Sequence, residues 1–201
     1  MRRPLTRKEL GLEPRYTAKK FRPYALAIGE ATLSWNDLHV ELGMLYATVS
    51  GGGYINPYFA IWNALRNDGA KRDILMAAAK ANLNLELERD KNTFEEVKWV
   101  LREIKKINDD RNTVAHAPLT STRTTNHVFP TGWTGDRFAR RLEGYDVLSE
   151  YRRLRDTAIQ LRDYVGRLAQ AFSRERPAWP ARSDLPIRPK AALLHWRIFH
   201  K

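Results

Sequence analysis

The strongest constraint on the fold is a stripe of apolar residues spaced three and four apart within residues 24–50. The stripe consists of Ile28, Ala31, Trp35, Leu38, Leu42, Leu45 and Val49. This spacing places the side chains on one face of an α-helix, so it predicts a long amphipathic helix. The glycine run at 51–53 is the expected end of that helix, because glycine favours helix ends and turns.

Four further segments show helical spacing, and no series of strand patterns accompanies them. The segments are residues 58–66, 70–89, 93–116 and 146–174. Thr93 and Glu96 have the spacing of a capping box, which predicts that the fourth helix begins there. Residues 67–69 are predicted to be a turn, and 117–145 a long loop with a short hairpin near 127–129. The predicted fold class is all-α, an antiparallel bundle of four or five helices.

The positive charge is concentrated at the two ends of the chain. The net charge is +12, of which residues 1–23 carry +6, residues 174–201 carry +5 and the middle only +1. We therefore predict a basic N-terminal arm at 1–23, a helical domain at 24–175 and a basic, proline-rich tail at 176–201. Basic arms on a near-neutral body suit capture of a polyanion, although they could also serve only as solvated tails.

Several classes of protein are disfavoured by what the sequence does not contain. Cysteine is absent, which excludes disulfides and thiolate metal sites. No apolar run approaches the ~18 residues that a membrane span needs, and no apolar segment follows the basic N-terminus as in a secretory signal. We expect a cytoplasmic protein without a membrane partner. Apart from His116, the histidines are His39, His127, His195 and His200. They lack the spacing of metal ligands, so we expect neither a metal nor another cofactor.

The best candidate for chemistry is the segment 109–117, which reads DDRNTVAHA. A histidine can exchange protons near neutral pH, and an arginine can hold a phosphate through two hydrogen bonds. These are the groups needed when the 2′-oxygen of RNA attacks its neighbouring phosphorus. His116 is therefore the predicted general acid/base and Arg111 the predicted phosphate clamp. In a regular helix these two side chains point about 140° apart, whereas Asn112 and Asp109 share the face of His116.

The Arg111–His116 segment resembles the R-x4-H motif, in its RN-x3-H form, of the HEPN superfamily of nucleotide-binding domains. The all-helical frame, Trp35 in the first long helix and the motif's position before a loop and a closing helix are also similar. The resemblance covers residues 24–173 and implies a helical domain that dimerises, so that two motifs line one cleft. Many members are metal-independent endoribonucleases and others are inactive binding modules, so the resemblance implies such an activity with Arg111 and His116 as catalytic residues. Because Asn112 and Asp109 share the face of His116, we predict Asn112 as a further catalytic residue and Asp109 as a possible support that orients the imidazole. The family context implies toxin–antitoxin or antiviral defence systems, with RNA as substrate and an antitoxin or larger defence complex as partner.

Other interpretations of the same residues stay open. Arg111 could pair with Asp110 or another carboxylate, and His116 could act only as a cation at a helix C-terminus. The loop segment could bind single-stranded RNA through Trp133, Arg137, Arg140 and Arg141. The chain as a whole could be a catalytically inactive module that binds nucleic acid or a protein. It could also be a subunit of a larger assembly, docked through residues 193–199. In that case removal of 177–201 would abolish assembly but leave any RNA activity intact.

Overall fold

The computed structural model describes residues 19–51, 55–121, 128–130, 136–172 and 179–188. Regular structure in these segments is overwhelmingly helical, which confirms the all-α prediction. The helices are α1 (Arg22–Val49), α2 (Ile55–Ala64), α3 (Asp68–Asn82), α4 (Glu88–His116), α5 (Arg137–Leu142) and α6 (Val147–Phe172). Strand β1 (Leu119–Thr120) pairs antiparallel with β2 (Phe129–Pro130). Within the described segments, none of the helices combines the length and apolar character that a bilayer crossing requires.

Some predicted features lie outside the described residues. Trp133, His127 and most of the two basic arms belong to this group. The described part of the N-terminal arm is a 3-10 turn, Lys19–Phe21, that leads directly into α1. Pro23 occupies the first turn of α1, where a missing backbone N–H costs no intrahelical hydrogen bond.

The chain divides into two compact units. Of the described residues, the first unit contains 19–32, 108–121, 128–130, 136–156 and 186–188, and the second contains the remainder. The end of α4 that carries the candidate motif and the whole of α5 therefore belong to the first unit. The predicted division into two arms and one helical domain, and the predicted antiparallel bundle, stay predictions.

Six of the seven residues of the apolar stripe of α1 are buried, and Ile28 is half-buried. In the second unit, Leu38, Leu42 and Leu45 have no exposed surface. Burial of one leucine side chain contributes roughly 1.5–3 kcal/mol, so this stripe is a principal source of stability for the helix. The α1 helix ends at Val49, and Gly51 follows with a φ of +79°, the left-handed conformation expected after a helix.

The predicted start of the fourth helix is wrong. The α4 helix begins at Glu88, and Thr93 lies inside it with no exposed surface. The Thr93 hydroxyl donates a hydrogen bond to the carbonyl of Arg89, 2.9 Å away, instead of accepting one at a helix start. Such a bond to the carbonyl four residues earlier is the other common use of a threonine hydroxyl in a helix.

Two predicted connections also differ from the structure. Asn67 caps α3, because its Oδ1 atom accepts a hydrogen bond from the backbone N–H of Ala70 at 2.7 Å. The predicted turn at 67–69 is thus the cap and first turn of a helix that ends at Asn82, well before residue 89. The predicted loop at 117–145 contains β1, β2 and α5. With the short α5, the described residues contain six α-helices instead of the predicted four or five.

A hydrogen-bonded carboxylate links three segments of the second unit. Glu96 of α4 accepts two hydrogen bonds from Arg182, both at 2.9 Å, and one from the hydroxyl of Tyr164. The Arg182 guanidinium also lies over the ring of Trp99, 5.3 Å from its centroid. Burial alone would raise the pKa of Glu96, but the hydrogen bonds from Arg182 and Tyr164 outweigh it and lower that pKa.

We predict opposite effects for one substitution at two glycines of α1. A Cβ atom at Gly43 would lie 2.9 Å from Cδ1 of Trp62, whereas a Cβ at Gly29 would meet nothing within 4 Å. Gly43→Ala should lower the free energy of unfolding by about 1–3 kcal/mol through overpacking. Gly29→Ala should raise it by about 0.5–1 kcal/mol, because alanine stiffens the unfolded chain. Urea unfolding of both variants measures the difference, and equal stability would contradict the packing around Trp62.

A second prediction concerns stability and pH. Because the pKa of Glu96 is lower in the folded state, its ionised form stabilises the fold above the unfolded pKa of about 4.5, and that contribution is lost as the pH falls through the folded pKa. Glu96→Gln should lower the free energy of unfolding by about 1–2 kcal/mol at pH 7. The difference in free energy of unfolding between this variant and the unmodified protein should shrink below pH 4.5. Denaturant unfolding at pH 7 and pH 3 tests this, and a gap that widens in acid would contradict it.

Candidate functional site

The last two turns of α4 place three polar side chains on one face. Asp109, Asn112 and His116 are three and four residues apart, and all three line a pocket of about 370 Å³. Helical phase predicts this grouping from the sequence. The rest of the lining comes from α5, which contributes Arg137, Phe138 and Arg141. The pocket therefore combines an imidazole, an amide and two guanidinium groups with one carboxylate, all within the first unit.

Helix α5 is short, and its start is fixed by a strong cap. Oδ1 of Asp136 accepts hydrogen bonds from the backbone N–H groups of Phe138 and Ala139, at 2.8 and 2.9 Å. Ala139 and Leu142 are fully buried, so one face of α5 is anchored in the first unit. The opposite face presents the arginines to the pocket and to solvent.

His116 lies at the end of α4 with its side chain exposed. Its ring packs against that of Phe138, with centroids 5.5 Å apart and planes inclined by 39°. The guanidinium of Arg137 lies over the same phenyl ring, 4.7 Å from the centroid. Phe138 thus contacts the imidazole and one guanidinium of the pocket. Sequence reasoning missed Phe138, since nothing local distinguishes it from a core phenylalanine.

Arg111 is half-buried and is not among the residues that line the pocket. Its Nη1 atom donates a hydrogen bond to Oδ1 of Asn112 at 3.0 Å. The carbonyl end of the Asn112 amide is therefore occupied. Among the described residues, its Nδ2 group has no hydrogen-bond partner and is available to a ligand.

Contacts within the first unit fix the backbone near His116. The Thr113 hydroxyl donates a hydrogen bond to the backbone carbonyl of Asp109 at 2.9 Å. The Tyr151 hydroxyl donates one to the backbone carbonyl of Val114 at 3.3 Å. Burial, with a smaller effect of Tyr24, raises the pKa of Tyr151. A higher pKa favours the protonated hydroxyl, which is the form that donates this hydrogen bond.

A cluster of two acids and two arginines lies next to the motif. Arg153 donates to Oδ2 of Asp110 at 2.6 Å and to Oε2 of Glu150 at 3.3 Å. Arg188 adds a second cation, with its Nε 3.0 Å from Oε2 of Glu150. Glu150 has no exposed surface, and a carboxylate removed from water needs such partners. The sequence carries no local signal for this cluster, because its members are distant along the chain.

The remaining candidates are placed elsewhere. Arg140 is exposed and does not line the pocket, and Trp133 lies outside the described residues. His39 is buried in the second unit beside the ring of Trp35, with its Nε2 3.4 Å from Oδ1 of Asp68. In the part of the chain that the structure describes, no group of three or more His, Asp or Glu side chains could hold a metal ion.

Comparisons with protein-family models, curated proteins and solved structures gave no match to this chain. The similarity to HEPN domains therefore rests on the motif at 111–116 and the helical character of the chain. Membership of that superfamily stays a hypothesis.

We predict that the N-cap of α5 controls how well one wall of the pocket is formed. Asp136→Ala removes the acceptor for two backbone N–H groups and should cost about 1 kcal/mol of stability. Amide hydrogen exchange in the peptide 136–142 should accelerate. Asp136→Asn keeps a capping oxygen and is the matched control, with near-native exchange. Equal protection in all three proteins would show that the cap does not hold α5.

Proposed function

We propose that this chain is a metal-independent endoribonuclease with His116 as the acid/base group of its active site. The observation that carries the proposal is the shared pocket, in which the exposed imidazole lies with Asn112, Arg137 and Arg141. An acid/base group beside donors for an anion is what cleavage by the 2′-oxygen of RNA requires.

The reaction needs only groups that the protein and RNA supply. The 2′-oxygen of a ribose attacks the adjacent phosphorus and loses its proton to a base, while the bond from phosphorus to the 5′-oxygen breaks. The leaving 5′-oxygen takes up a proton from an acid. The products are a 2′,3′-cyclic phosphate and a 5′-hydroxyl end. The reaction needs one group that accepts a proton and one that donates a proton at the same phosphate. We therefore include a HEPN-like homodimer in the proposal, because it would bring two copies of His116 to one cleft.

The charges of the pocket favour a phosphate ligand. Within the described residues, the guanidinium groups of Arg137 and Arg141 form neither a hydrogen bond nor an ion pair, although Arg137 contacts a phenyl ring. They face the pocket with a single carboxylate, Asp109. An unpaired guanidinium offers a fork of donors that matches the oxygens of a phosphodiester. We therefore assign the phosphate contacts within one chain to Arg137 and Arg141.

Arg111 acts on the site through Asn112 in this proposal. Its hydrogen bond to Oδ1 orients the amide so that Nδ2 can donate to a phosphate or ribose oxygen. For Arg111 to contact the phosphate directly, as the sequence predicts, the protein would have to form a dimer whose cleft includes this side chain. A toxin or antiviral role in the cytoplasm, with an antitoxin or defence complex as partner, belongs to the same hypothesis and rests on the resemblance.

The second candidate is a module that binds RNA without cleaving it. The exposed guanidinium of Arg140, outside the pocket, favours this reading because it extends the positive charge of α5 beyond a catalytic centre. Such a module would bind RNA in a salt-dependent manner, as counterion release requires.

We predict that His116→Ala abolishes RNA cleavage while the protein remains folded. The rate should fall by at least about 100-fold, the usual contribution of a general acid or base. The assay uses labelled single-stranded RNA in EDTA, with end-group analysis of the products. Arg102→Gln, on an exposed part of α4, is the control and should keep full activity.

The two candidates separate in the same experiment. Cleavage by the unmodified protein in EDTA, lost in His116→Ala, supports the nuclease. Salt-sensitive binding without cleavage by either protein supports the binding module. Cleavage at the native rate by a folded His116→Ala protein would exclude His116 as the acid/base group.

A further inference from the structure

The described C-terminal residues 186–188 belong to the same compact unit as the pocket. Arg188 makes contacts with three parts of that unit. Its Nη1 atom lies 3.8 Å from Oδ1 of Asp110 in α4, and its Nε lies 3.0 Å from Oε2 of Glu150 in α6. Its Nη2 donates a hydrogen bond to the backbone carbonyl of Arg141, 3.0 Å away in the last turn of α5. One guanidinium therefore contacts α4, α5 and α6.

The contact with α5 is important because that helix is too short to be stable alone. Its six residues fall far below the roughly 12–15 that an isolated helix needs. Its N-terminus is held by Asp136, and its C-terminal carbonyl at Arg141 is held by Arg188. The Arg188 guanidinium also lies 4.0 Å from the ring centroid of Tyr145, just beyond α5. The C-terminal end of α5 is thus tied to a residue remote in sequence.

The contact with Asp110 ties the same side chain to the other wall of the pocket. Asp110 adjoins the pocket residue Asp109 and lies two residues before Asn112. The buried Glu150 holds Arg188 in place, because its charge has no access to water and needs cations on it. Arg188 itself does not line the pocket. Through its contacts with Asp110 and with the Arg141 carbonyl, it can fix the distance between α4 and α5.

We propose that Arg188 is a positioning residue for the RNA-cleaving site, which is therefore complete only when the C-terminal segment is docked. This inference rests on the proposed nuclease function. Arg188 sets where Arg137 and Arg141 stand relative to Asn112 and His116. Under this proposal, removal of 177–201 impairs RNA cleavage, whereas the alternative of an assembly subunit predicts that any RNA activity survives that removal.

The test compares two arginines of the same C-terminal segment. Arg188→Met removes the bridge, and Arg182→Met is the matched control, since Arg182 also pairs with a carboxylate of α4 and lies over an aromatic ring. Arg182 makes these contacts in the second unit only. The measurements are KM and kcat for a short RNA, together with the melting temperature.

We expect Arg188→Met to raise KM by about tenfold or more, because misplaced phosphate contacts weaken substrate and transition state alike. Substitution of Arg182 should lower the melting temperature without changing KM. A substitution that merely destabilises the fold reduces the active fraction and so lowers the apparent kcat, but it leaves the KM of the folded molecules unchanged. Arg188→Lys keeps the charge and should restore part of the loss. Native KM in folded Arg188→Met would overturn the proposal.

Two additions keep the test decisive. If the loss of one cation from Glu150 unfolds the protein, the double variant Glu150→Gln with Arg188→Met removes the buried charge as well and should fold with the raised KM. If no RNA is cleaved, the imidazole resonances of His116 give a readout that does not need activity, because the Phe138 ring shifts them. A shift of these resonances in Arg188→Met but not in Arg182→Met supports the positioning role. Unchanged resonances in both overturn it.

Discussion

The first unit depends on a carboxylate that water does not reach. Glu150 is completely buried, and a carboxylate in that position is stable only with cations and hydrogen-bond donors around it. Arg153 supplies a cation and a hydrogen bond, and Arg188 supplies a second cation. Both also approach Asp110, immediately before the Arg111–His116 motif. The position of the candidate site in space therefore follows from an electrostatic requirement outside its pocket.

This arrangement gives the pocket two unequal walls. The α4 wall is the end of a 29-residue helix, and Tyr151 supports it by donating a hydrogen bond to the carbonyl of Val114. The α5 wall has six residues and relies on its cap at Asp136, its two buried side chains and Arg188. Of the two walls, α5 has fewer local interactions, and it carries both guanidinium groups of the pocket. The position of α5 therefore sets the geometry for phosphate binding.

The sequence predicted what depends on local periodicity. The stripe of α1 and the shared face of Asp109, Asn112 and His116 follow from 3.6 residues per turn, and both are present. The start of α4 was mispredicted because Thr93 can cap a helix or bond back to a carbonyl within one, and only packing decides. Phe138, Glu150 and Arg188 could not be found, since their roles depend on partners far away in the chain. The catalytic roles of Arg111, Asn112 and His116 stay predictions.

The central claim is that an RNA phosphate binds between His116 and the arginines of α5. The most direct test is a crystal structure of the protein with a short RNA carrying a 2′-O-methyl group, which lacks the attacking oxygen and stays intact. We expect a phosphate in the pocket, with its oxygens within hydrogen-bond distance of Arg141 or Arg137 and the neighbouring ribose beside His116. RNA bound to another face, with this pocket empty, would contradict the account.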